Sequence, residues 1–447
     1  MSDHRFLRHP HSTVLGLSLP ILLALIAEPL TGIADTAFVA RLGAQPVAGL
    51  GVATVLLASV LWVFNFLAIG TQTEVSVALG SGQPTRAAAT AGVAIRLSLM
   101  LGCALIVLGW PLAPYLCRLA GAQDGVLADA VVYLRIRLFG APAGLAALAA
   151  FGALRGAQDM RTPLWVSLVL HGTNIGLDAV LILGPGPAPA LGLAGAALAT
   201  VLAQWTGALL ALRVLAVRLG VRLDGGLAGA GRLVVVGRDL FARTALLLLF
   251  TLAATRAATR AGVHVAAAHQ GTRQIWMFSA FVLDALGATA QSLVGFFRGA
   301  GRNDLARRAA AVCCGWGLAA GLVLTLLLLG AESPAARLLV PPSARDVFAT
   351  AWILVAISQP FNAVSFVTDG VHWGSGDYRY LRNAMLMSTG IGLIALAAVD
   401  LASPLALRWI WAATLLWMVV RCAAGLVRIW PGSAAAPLGR TAIDSRA

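Results

Sequence analysis

The chain has 447 residues, 59% of them hydrophobic and only 11% charged, against about 25% charged in a soluble domain. So few polar groups cannot cover a water-facing surface, which excludes a soluble globular protein. The +14 net charge comes from 32 basic residues, every one an arginine, and without lysine the chain cannot build a G-x-x-x-x-G-K-[ST] nucleotide loop.

The first apolar run covers residues 14–40, behind a tail carrying Arg5, Arg8, His4, His9 and His11. It is far longer than the roughly 7–15 residues of a signal-peptide core, so it reads as a retained first span. Within it lie Pro20, Glu28, Thr31 and Asp35. Glu28 and Asp35 are seven residues apart, close to two helical turns, and share a face. Pro20 frees a backbone carbonyl and bends the helix, either as a hinge fifteen residues before Asp35 or as a packing accommodation. Spans two to four are predicted at 47–79, 87–110 and 126–151. The fourth carries Pro142, and its Arg135 and Arg137 are expected to snorkel or pair at the outer interface. The fifth, 163–184, sets His171, Asn174 and Asp178 at i, i+3 and i+7, one polar stripe on an apolar helix. In the sixth, 192–218, Thr200 follows a run of alanines that permits close helix approach.

A Gly- and Ala-rich stretch leads to six more runs, at 240–262, 266–298, 306–330, 346–372, 380–400 and 405–430. The eighth holds Asp284, which reads equally as a counter-charge for substrate or as an interhelical hydrogen bond. Glu74 and Asp369 fall near cytoplasmic helix ends, where snorkelling or loop pairing accounts for them. Twelve runs of about 20 residues predict an all-α integral membrane protein. Its parts are a first lobe at 1–219, a cytoplasmic linker at 220–239, a second lobe at 240–432 and a cytoplasmic tail at 433–447. Arginines gather in alternate loops: Arg86, then Arg155 and Arg161, Arg213 through Arg243, Arg298 through Arg308, and Arg379 with Arg382. The loop around 184–190 has no charge. This positive-inside pattern places both termini and the linker in the cytoplasm, and it explains the basic balance without a nucleic-acid partner. The five cysteines show no metal spacing, and no cofactor is expected.

The two halves repeat each other. Gly80-Ser81-Gly82 recurs as Gly299-Ala300-Gly301, Gly156 through Arg161 as Gly374 through Arg379, and Gly43 with Ala48 as Gly262 with Ala267, at offsets of 219, 218 and 219. Six spans per repeat give both lobes the same orientation, related by a pseudo-twofold along the membrane normal. The repeat also acts as a control, because the positions matching Asp35 and Asp178 are Ala254 and Leu396. Both acids are therefore dispensable to a lobe's fold. An acid inside a span is a functional hypothesis, here a proton or cation site, against the alternative of an acid satisfied by neighbouring helix donors.

The segment Pro29 through Val39 with Leu42-Gly43 resembles the first helix of the multidrug and toxic compound extrusion (MATE) transporters, closest to their DinF-like branch. Asn174 through Asp178, Leu154 through Pro163, Gly195 through Thr200, Leu283-Asp284 with Gly299 through Gly301, and Asp369-Gly370 before Arg382-Asn383 resemble further features of that family. The resemblance runs from about Pro20 to Arg428. It implies a monomeric 6+6 antiporter of a bacterial-type inner membrane, exporting amphiphilic, often cationic compounds in exchange for H⁺ or Na⁺ by alternating access between two lobes. It also implies that Asp35, Asn174, Asp178 and Thr200 form the ion-coupling site, open to Na⁺, and that Pro20 is the hinge. Asp284 and Glu28 are the candidates for contact with substrate. Two residues depart from the pattern: His171 stands where relatives often have Asn, which bears on ion preference, and Gln291 stands where some have an acid. The rival readings are a lipid-linked or glycolipid flippase of the same superfamily, and a membrane enzyme or receptor without transport.

Overall fold

A computed structural model describes residues 4–184, 190–430 and 436–438. The expected tail at 433–447 lies outside them apart from 436–438, and so does most of the uncharged loop. The described chain is helical throughout. It begins with α1 (Arg5–Arg8), α2 (Pro10–Ala40), α3 (Ala44–Val63), α4 (Phe66–Gly80), α5 (Pro84–Leu119) and α6 (Asp124–Leu138). Next come α7 (Ala141–Gly156), α8 (Arg161–Leu181), α9 (Gly192–Leu219), α10 (Ala230–Arg260) and α11 (Val263–Gly299). After α12 (Asn303–Gly330) and α13 (Glu332–Leu339), a 3₁₀ turn at Pro342–Ala344 leads into α14 (Arg345–Ile357), α15 (Gln359–Ser375), α16 (Tyr378–Ala397) and α17 (Ala406–Ile429).

Among the described residues, nine helical stretches are long and apolar enough to cross a membrane, the continuous run of α3 and α4 counting as one. Two bent pairs each supply a further span: α6 with α7, at 50°, and α14 with α15, at 47°. The seventh expected span is α10, whose apolar stretch is interrupted by Arg232, Arg238, Arg243, Arg256 and Arg260. The breaks explain themselves chemically. Pro142 and Pro360 sit in the first turns of α7 and α15, where proline fits a helix start and cannot continue the preceding one. Pro20 and Pro29 both lie inside α2, which continues through them as one 31-residue helix.

Contacts divide the chain into two compact units, Leu19–Gly237 and Met1–Ser18 with Arg238–Ala447. Both α2 and α10 cross that division, so each contributes to two units. In the first unit, one cluster of buried side chains gathers Leu67, Val75, Ile95, Leu145 and Leu154, and another Leu50, Tyr133, Leu134 and Leu193. In the second, Phe250, Trp276, Phe348, Trp352 and Trp417 make one cluster, and Phe6, Val14, Leu293, Phe297 and Val371 the other. The side chains of Ser18 and Thr289 meet at 2.9 Å within that same unit.

The duplication read from the sequence reappears as paired close approaches of helix backbones. A Cβ on Gly102 would strike Pro142, and one on Gly321 would strike Pro360. Gly152 lies against Ala68 as Gly370 lies against Gly287, and Gly156 against the Gln72 carbonyl as Gly374 against that of Gln291. Each pair is again 219 or 218 residues apart. The turns match too. Gly43 and Gly262 adopt φ of 114° and 126°, and Gln158 holds at 60° the left-handed turn that Gly376 holds at 73°.

Candidate functional site

In the first unit the polar residues singled out by sequence lie on α2, α8 and α9. On α8, Asn174 and Asp178 are 1% and 0% exposed. They are one turn apart, and Asn174 Nδ2 donates to Asp178 Oδ2 at 3.3 Å. Asp35, half-buried on α2, lies within electrostatic reach of Asp178. Two carboxyl groups this near in an apolar surround favour a state in which one of them carries a proton. The second oxygen of each, Asp35 Oδ1 and Asp178 Oδ1, is shut from solvent and has no partner. Thr200 on α9 donates to the Ala196 carbonyl at 3.0 Å, with the Tyr133 hydroxyl nearby. Four of the residues singled out by sequence therefore stand close together.

Two members of the cluster were missed. Tyr133, 3% exposed on α6, lies near Thr54 and Thr200 and in the field of Asp35. Arg137, one turn further along α6, donates to Gln204 Oε1 at 3.0 Å. Its guanidinium acts electrostatically on Asp35, Glu28 and Tyr133. Arg137 thus faces the site, whereas interface snorkelling was expected of it. Arg135 does behave that way, donating to the Trp110 carbonyl at 3.3 Å and lying 5.3 Å over the Trp110 ring. The spacing of Tyr133 and Arg137, i and i+4, was the signal available.

The remaining candidates stand further out. His171 is half-buried on α8 with Nδ1 unpartnered. Among the described residues, no hydrogen bond or ion pair joins it to Asp178. Glu28 is exposed on α2. Asp284 is half-buried on α11, in the other unit, and is not without a partner.

Asp369 departs from expectation most. Instead of pairing loosely at a helix end, it is 5% exposed and clamped by Arg243 and, at 3.1 Å, by Arg421. Arg421 also lies 4.7 Å over the Trp417 ring, and Arg243 lies 5.3 Å over that of Trp373. Two buried guanidiniums around one carboxylate leave a net positive charge inside the second unit. Among the described residues, no group of three or more His, Cys, Asp or Glu is placed to hold a metal ion.

Comparison with known proteins bears on both units. The family model described as MatE matches twice, over residues 20–180 and 240–399, once per repeat. The chain belongs to the MatE family. Protein DETOXIFICATION 44, chloroplastic, of Arabidopsis thaliana is 31% identical, the alignment covering 93% of this chain and 81% of that protein. The DNA damage-inducible protein F of Escherichia coli strain K12 is 28% identical over 95% and 93% of the two chains. A structure titled "Outward-facing conformation of a multidrug resistance MATE family transporter of the MOP superfamily" superposes with a TM-score of 0.84, at 21% identity, over 97% of each chain. That likeness is one of fold: MatE proteins build twelve helices into two lobes. They are multi-pass membrane transporters, not enzymes.

Proposed function

We propose that this MatE protein exports amphiphilic small molecules in exchange for an inward-moving ion, with Asp35, Asn174, Asp178 and Thr200 as the coupling site. The observation that carries this reading is the nearness of the Asp35 and Asp178 carboxyl groups, with one buried oxygen unpartnered on each. A proton shared by two carboxyl groups is exchangeable with water when the site opens. The two unpartnered oxygens, with the Asn174 and Thr200 side-chain oxygens, offer a small hard cation such as Na⁺ the donor type it takes. Arg137, fixed by Gln204, supplies a constant positive charge that favours release once the carboxylates are exposed. Tyr133 on α6 lies near Thr200 on α9, so movement of either helix disturbs the surroundings of the site.

The names of the relatives, which include probable multidrug resistance proteins NorM of Thermotoga maritima and Deinococcus radiodurans, support small molecules as cargo. Asp284 and Glu28 are assigned the cationic end of such a cargo. The arginine-rich loops support a cytoplasmic location for both termini. In proteoliposomes, export of a fluorescent amphiphile is driven by ΔpH or by a Na⁺ gradient applied separately. Asp35→Asn and Asp178→Asn are expected to keep expression and lose gradient-driven export. A variant that transports at the parent rate with either gradient removes that acid from the coupling site.

A further inference from the structure

The first unit holds a cavity that none of the coupling residues lines, where α4, α5 and the first turn of α10 meet the segment joining α9 to α10. Its volume is ≈ 490 Å³, within the range of small-molecule sites. Arg86, Thr90 and Val93 fall at i, i+4 and i+7, one face of α5, and Glu74 on α4 with Arg232 and Leu233 on α10 face them across the cavity. The joining segment is fastened in place. Arg96 on α5 donates to the Arg222 carbonyl at 3.1 Å and to the Gly226 carbonyl at 2.6 Å. Gly92 lets the Arg222 carbonyl approach so closely that a Cβ would stand 2.6 Å from it. Gly229, at φ 93°, then turns the chain into α10. A glycine-rich stretch thus lies along α5 and supplies a wall of the cavity through Ala228 and Gly229.

The charges around this cavity do not balance. Glu74 lies between two guanidiniums, 3.2 Å from Nη1 of Arg232 and 3.6 Å from Nη2 of Arg86. No other acid lines the cavity among the described residues, so two cations and one anion leave a single positive charge. A guanidinium carries five N–H donors, and Glu74 meets each through one nitrogen, so both arginines keep donors for a second acceptor. The other walls include the apolar side chains of Ala89, Val93 and Leu233. Arg86 lies two residues past the start of α5 and Arg232 two past the start of α10. The end of a membrane span stands at the depth of the lipid headgroups, outside the hydrocarbon.

Guanidiniums bond phosphate oxygens in pairs, and a phosphodiester carries the one negative charge that cancels the excess. Basic pockets between membrane helices take such headgroups. We propose that this cavity binds the phosphate of an anionic phospholipid, with Arg86 and Arg232 as its ligands and the apolar walls beside its glycerol and first acyl carbons. Native mass spectrometry of the purified full chain in detergent, with dioctanoyl phosphatidylglycerol, dioctanoyl phosphatidylcholine or inorganic phosphate added, counts the bound molecules and ranks their affinities. One phosphatidylglycerol per chain is expected to bind about tenfold tighter than phosphatidylcholine, as one charge-assisted hydrogen bond provides. Arg86→Gln and Arg232→Gln should each remove that preference, and Arg232→Lys should keep part of it. Ala89→Phe fills the cavity without touching its charge and should also abolish the tight lipid, which keeps the test decisive if an arginine variant is not monodisperse. Equal affinity for the two lipids, or variants that keep the parent preference, overturn the proposal. Inorganic phosphate that binds as tightly as phosphatidylglycerol assigns the site to a free phosphate and overturns the lipid. Binding needs no gradient, so the result is independent of ion coupling.

Discussion

The same substitution should have opposite consequences at two aspartates of this chain. Asp35 lies beside Asp178, so an amide in its place supplies a donor in a site that favours a neutral partner. Asp369 is the only acid between two buried guanidiniums, and breaking such a pair from one side costs about 3–5 kcal/mol. Asp369→Asn is therefore expected to lower yield and thermal stability sharply in detergent, while Asp35→Asn melts near the parent temperature and only loses transport. Equal melting temperatures for the two would mean that the arginines find other acceptors. Asp284→Asn is expected to weaken cationic substrates and spare neutral ones, and equal loss for both would mean that Asp284 holds helices together. Asp35, Asn174, Asp178 and Thr200 were legible because a polar stripe in an apolar run stands out in any sequence. The Asp369 clamp was not, because its partners lie 126 and 52 residues away. No local pattern marks pairing at that distance, and a charge near a span's end has a simpler surface reading. Arg137 was hidden for the same reason.

At the level of elements, the apolar runs located the spans well, since about 20 residues of hydrocarbon-compatible helix have few alternatives. They did not reveal which prolines break a span. Periodicity is silent on whether neighbouring helices leave room for a bend, and the answer lies in contacts such as Gly102 against Pro142 and Gly321 against Pro360. Such close approaches are also places where one methyl group has no room. A Cβ on Gly370 meets the Gly287 carbonyl, and one on Gly152 meets that of Ala68. Gly370→Ala and Gly152→Ala should each destabilise the protein by about 1–3 kcal/mol through overpacking. Each acts within its own unit, so the costs should add in the double variant. Thermal melts of the three variants check this, and a neutral single variant would show that the helices separate without penalty.

At the scale of the whole molecule, α2 belongs to two units: its first residues are counted with the second half of the chain, and Asp35 with the first. Phe6 and Val14 are fully buried in a cluster completed by Leu293, Phe297, Leu305 and Val371. Removing residues 1–18 should therefore raise amide hydrogen exchange in α11, α12 and α15 and leave α5 to α8 at parent rates. Unchanged exchange in α11 would show that the segment is not needed there. The same arrangement sets an order of events during synthesis. Residues 4–18 are made before almost every side chain that covers them, and the last of these, Leu438, follows by roughly 400 residues, roughly 20–80 s at translation speed. Until then Phe6 has no core to enter, and a cysteine at that position should react with maleimide in a chain ending at residue 237 and be protected in the full one. The helix that carries Asp35 is thus among the earliest to be made and among the last to be completed, so a premature stop leaves it anchored at one end only.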